Sequence, residues 1–129
     1  MTFQEFRELI AGMIDDIPSE YLDGLQGVHV LERTKRDPDE PDLLRLGEYL
    51  DPGPDSSMYG MPHLGRHVAI YYGTFAALAD GDPSFDWEGE AWETLTHELT
   101  HHLESRAGEI GLIEWDRRQL EGFRRRRGP

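Results

Sequence analysis

The segment from Trp87 to Ala107, WEGEAWETLTHELTHHLESRA, constrains this chain more than any other. Trp92, Leu95, Leu99 and Leu103 are spaced by three, four and four, which is the repeat of one helical face. The segment is therefore expected to be a long helix whose apolar stripe faces the core. Gly108 stands at the position of a C-cap and is read as its end. At 100° per residue, His97, His101 and Glu104 fall about 120° to 180° from that stripe, with Glu98 to the side of the polar face. One face packs, and the other presents two imidazoles and a carboxylate.

The rest of the chain supplies partners for the packing face. Phe3, Phe6, Ile10, Met13, Ile14 and Ile17 share one side of a second amphipathic helix, with Thr2 and Glu5 as a capping box and Pro18 as its stop. A short helical turn is expected at SEYLDGL. GVHVLER alternates as a half-buried strand does, TKRDPDEPD (Thr34 to Asp42) reads as an exposed loop, and LLRLGEYL as a second strand. DPGPDSSMYGMPHLG reads as a long loop, and RHVAIYYGTF carries the strongest strand. FAALAD is expected to form a short helix and LIEWDRRQLEGF a terminal one. The order predicts an α+β fold: a small mixed or mostly antiparallel sheet of about three or four strands, an N-terminal helix and the histidine-bearing helix. Residues 1–123 are expected to form a single domain, and 124–129 an arginine-rich, solvated tail.

His97, Glu98 and His101 form the pattern H-E-x-x-H. On a helix, histidines one turn apart can reach a single metal ion while the adjacent glutamate touches a water on it. Neutral imidazoles suit Zn²⁺, which lowers the pKa of a bound water to about 7. Glu98 would then act as general base toward that water and return its proton to the leaving amine. The plainer alternative is an exposed polar helix face with incidental histidines.

The third protein ligand is less directly written. In the common extension of this motif, a glycine three residues after the second histidine precedes a further ligand three residues on. Those positions hold Glu104 and Ala107 here, so that extension is absent. Glu104 is the leading substitute, because Glu/His pairs at i, i+3 share metals and its side chain leans back over the histidines. It could instead orient a ligand histidine or stand in solvent. Glu109, Glu114 and Asp116 are alternatives if the chain folds back after Gly108, with Asp116 the best of them, and water is a last one. His102 reads as a packing or hydrogen-bonding residue, and His29, His63 and His67 as exposed. Tyr71 and Tyr72 read as ordinary strand residues.

Composition narrows the class. With 129 residues and no cysteine, the chain can bury one core, and a metal must be held by nitrogen and oxygen. Residues 1–116 carry 25 acids and 7 bases, a net of −18. So acidic a body repels phosphate and argues against nucleic acid as a partner. The start of the chain lacks a signal-peptide pattern, and no apolar run approaches the roughly 20 residues that cross a bilayer. A cytoplasmic protein with no membrane partner is the expectation.

The opening FQEFRELI…IP, the LGEYL and GRHVAIYYGTF strands and the HELTHHLESRAGE helix together resemble a minimal zincin-like metallopeptidase of the small bacterial type. The resemblance implies a minimal zincin core holding one Zn²⁺, with His97 and His101 as ligands and Glu98 as general base. It implies a zinc-dependent peptidase. A peptide or protein substrate would lie as an added strand along a sheet edge, with the site either exposed or completed by a partner protein. The competing expectations are a metal-binding or partner-recognition module with little or no peptidase activity, and a metal-free scaffold.

Overall fold

In the computed structural model, residues 1–51 and 65–110 are described. Helix α1 (Phe3–Asp16) opens the chain, and a 3₁₀ turn follows at Ser19–Leu22. The strands are β1 (Leu25–Leu31), β2 (Lys35–Arg36), β3 (Leu44–Arg45), β4 (Gly47–Leu50) and β5 (Arg66–Tyr71). Helices α2 (Tyr72–Ala79) and α3 (Trp87–Ile110) complete the described fold.

Each element has a local cause. The capping box of α1 is formed: Glu5 N–H donates to Thr2 Oγ1 at 3.1 Å, and Thr2 N–H donates to Glu5 Oε1 at 2.7 Å. At the head of α3, Asp86 Oδ1 accepts from Gly89 N–H at 3.0 Å, satisfying one of the orphan donors of the first turn. Glu88 and Glu90 add negative charge where the helix dipole favours it.

The main sheet has the order β1-β5-β4 and is mixed. β1 runs parallel to β5, with Val28 opposite Val68, and β4 runs antiparallel to it, with Tyr49 opposite Val68. β5 is central because Val68, Ala69, Ile70 and Tyr71 are all buried, the near-continuous apolar run of a strand covered on both faces. β2 and β3 form a separate antiparallel pair.

The stripe on α3 packs as its spacing required. Leu95, Leu99 and Leu103 join Phe6, Ile10 and Met13 of α1 and Val68 and Ile70 of β5 in one core. Each fully buried leucine contributes roughly 1.5–3 kcal/mol. β4 lies hard against α3. A Cβ at Gly47 would sit 2.8 Å from Thr94 Cγ2 and 2.9 Å from the Ala69 carbonyl oxygen, so only glycine permits the approach.

Four expectations change. The segment LLRLGEYL is two short strands, β3 and β4, because β3 turns away to pair with β2. Lys35 and Arg36, expected in a loop, form β2. Tyr72 is the first residue of α2 and not a strand residue. Helix α3 runs through Gly108 to Ile110, since a helix interior tolerates one glycine at a cost of about 1 kcal/mol. The expected terminal helix and arginine-rich tail, and most of the long loop that includes His63, lie outside the described residues. Among the described residues, no helix is long and apolar enough to cross a membrane.

Candidate metal centre

The polar face of α3 forms one wall of an open cleft of about 740 Å³. His97, Glu98, His101, Glu104 and Ser105 line it from the helix, and Gly47, Glu48 and Tyr49 of β4 with Arg45 line it from the opposite side. The helix can present this face because its fully buried Thr96 is satisfied locally. Thr96 Oγ1 donates to the Trp92 carbonyl at 2.8 Å, so no polar atom of that side chain demands a partner from the core.

His97 and His101 are exposed, with Nε2 atoms 3.2 Å apart and rings nearly perpendicular at 87°. Ligand atoms of His97, Glu98 and His101 all lie within 4.8 Å of one another, a group of three potential ligands that could hold a metal ion. Two nitrogens each about 2.05 Å from one tetrahedral ion stand about 3.3 Å apart. The donor set therefore fits a nitrogen- and oxygen-ligated divalent metal. Glu104 lines the same cleft about one turn beyond His101 but is not in that compact group. The Glu109 side chain, Glu114 and Asp116 lie outside the described residues.

Glu98 is only 7% exposed. Burial pushes its carboxyl above the ordinary glutamate value, and the adjacent His97 and His101 pull it back. Glu48 across the cleft adds to the rise and Arg45 opposes it. A carboxylate raised in this way is a better proton acceptor than a solvated one.

The opposite wall is held by its own charge network. Arg45 donates to Asp37 Oδ2 at 3.2 Å and to Glu48 Oε2 at 2.8 Å, and Lys35 Nζ lies 3.8 Å from Glu48. The Tyr71 hydroxyl also donates to Glu48. Burial raises the Glu48 carboxyl, but Tyr71, Lys35 and Arg45 together outweigh it and hold the group below the usual range.

His102, adjacent to His101 in sequence, faces the other way and is fully buried. Its Nε2 lies 2.7 Å from the Asp23 carbonyl oxygen, which can only accept, so Nε2 carries the proton. Nδ1 then accepts from the Tyr49 hydroxyl at 3.0 Å. This chain of bonds ties α3 both to β4 and to the segment before β1. Ser105 Oγ adds a second tie, donating to Asp51 Oδ2 at 2.7 Å.

The sequence brings out the helix side of this cleft. It does not single out Arg45, Glu48, Tyr49 or Ser105, whose roles depend on which strand edge packs beside α3. A faint signal is present in LGEYL, where Glu48 and Tyr49 follow a glycine that allows close approach. Tyr71 and Tyr72 do not line the cleft; Tyr72 donates its hydroxyl to the Met1 carbonyl. His102 has the packing role expected of it.

A long helix presenting His-Glu-x-x-His beside the edge of a mixed sheet is the arrangement of a zincin-like metal-binding protein. Residues 25–117 match the model of the zincin-like metallopeptidase family, and the chain belongs to it. The match begins at Leu25, so α1 lies outside it. A solved structure of a conserved hypothetical protein from Thermus thermophilus is similar, with 50% identity and a TM-score of 0.75. The similarity covers 84% of this chain and 99% of that one. No curated protein matches the chain.

Proposed function

We propose that this protein is a zinc-dependent peptidase in which His97 and His101 hold one Zn²⁺, Glu104 completes the protein ligands and Glu98 is the general base. The observation that carries this reading is the pair of Nε2 atoms 3.2 Å apart with a buried carboxylate beside them in an open cleft. When bound, zinc supplies Lewis acidity, polarising the scissile carbonyl and acidifying the attacking water. Glu98, one residue from His97, takes the proton from that water and delivers it to the departing amine. His97 and His101 must be neutral to hold the ion.

β4 offers the substrate a place. It bonds to β5 on one side, and its residues line the cleft on the other. A peptide laid along that edge would gain backbone hydrogen bonds while its scissile bond faced α3. The acidic body favours neutral or basic peptides.

Two measurements test the reading. Wild-type protein purified without a histidine tag should carry zinc, and cleavage of a peptide library should stop with chelator. Glu98→Gln should keep the metal and lose cleavage. Activity that survives both treatments would rule the mechanism out.

The exposure of both histidines, in an open cleft walled among the described residues by α3, β4 and Arg45, favours a second reading. In that reading the same centre is a metal-dependent recognition surface that a partner protein covers. It predicts zinc binding with no cleavage by wild type and capture of the partner that depends on His97.

A further inference from the structure

Away from the cleft, the sheet brings two more histidines together. His29 of β1 and His67 of β5 lie on adjacent parallel strands, with His29 Nε2 2.9 Å from His67 Nδ1 and ring centroids 5.0 Å apart. They alternate with Val28 and Val68, which pack in the core, so they project from the opposite face of the sheet, away from α3. The register places Gly27, not His29, across from His67. The His29 ring therefore lies back along β1 over Gly27. A Cβ at position 27 would stand 3.2 Å from His29 Nε2 and 3.3 Å from Cε1, so glycine keeps the lane open for the ring. His29 is exposed and His67 half-buried, which leaves the pair reachable from solvent.

We propose that His29 and His67 form a second metal site, which takes one divalent transition ion favouring right-angle nitrogen ligands, Ni²⁺ or Cu²⁺. The reason is the separation of the donors. Two nitrogens each about 2.05 Å from an ion and at right angles to one another are about 2.9 Å apart, the cis arrangement of octahedral and square-planar ions. Without an ion, one imidazole donates its N–H to the other across this gap. For an ion to bind, the donor ring shifts its proton through solvent to its other nitrogen, so that both facing nitrogens offer lone pairs, and water fills the ion's remaining positions.

The test uses the full-length chain with His97→Ala and His101→Ala, which removes the cleft imidazoles without touching the core. Calorimetric titration with Ni²⁺ should find one ion per chain. His29→Ala in that background should weaken binding roughly a hundredfold, the loss of a two-armed chelate. Gly27→Val, which displaces the ring but keeps both histidines, should weaken it as well, with circular dichroism showing that each variant is folded. Pulsed electron paramagnetic resonance of the Cu²⁺-loaded protein should show two coordinated imidazoles, and one after His29→Ala. Absence of Ni²⁺ binding in the double variant, or binding that His29→Ala leaves unchanged, overturns the proposal.

Discussion

At the scale of single residues, Glu98 carries opposed demands. Its burial makes it a stronger base, and the same burial costs stability whenever the carboxyl is ionised. A group whose folded pKa is raised contributes stability that is full below its unfolded value, 4.5 for glutamate, and lost as pH rises through the folded value. Metal-free Glu98→Gln should therefore melt above metal-free wild type at pH 7, with the difference closing as pH falls below 4.5. Thermal scans across pH check this. In the zinc-loaded protein the same change should lower peptide cleavage by about 10²–10⁴-fold. His102 is the second telling residue. His102→Ala removes a buried ring and leaves the Tyr49 hydroxyl and the Asp23 carbonyl without their partner, and should cost about 2–4 kcal/mol by urea denaturation. Tyr49→Phe, losing one of those bonds, should cost about 1 kcal/mol.

At the scale of elements, the cleft is the gap between α3 and β4, and Gly47 sets its width. Gly47→Val would press a branched side chain onto Thr94 and the Ala69 carbonyl. It should destabilise by about 1–3 kcal/mol in chemical denaturation and weaken substrate binding as β4 is pushed off the helix. Periodicity made the long helices legible. The stripe Trp92, Leu95, Leu99 and Leu103 and the Thr2/Glu5 cap placed α3 and α1 with their buried faces correct. The short strands were harder. Leu44 and Arg45 pair with Lys35 and Arg36 in a second sheet, a choice made by tertiary contact that no local pattern in LLRLGEYL records. Gly108 looked like a helix stop because glycine is favoured at a C-cap, yet one glycine cannot end a helix whose next residues continue it.

At the scale of the whole molecule, the described part of this acidic chain places one helix between a core and a metal-competent cleft. His97, Glu98 and His101 could be located from sequence because a helix fixes their relation within one turn. Arg45, Glu48 and Tyr49 could not, because they reach the cleft only through the β1-β5-β4 order and its register. Since the ligands converge only in the folded chain, metal binding should also stabilise the fold. Zinc at a hundredfold excess over its dissociation constant should add about 2.7 kcal/mol, seen as a higher melting temperature that chelator reverses. The most direct test of the central claim is zinc content per chain, measured for wild type, His97→Ala and Glu98→Gln. The cleft geometry predicts one zinc in wild type and in Glu98→Gln, and loss of the ion in His97→Ala. An unchanged zinc content in His97→Ala would contradict the assignment of this helix face as the metal centre.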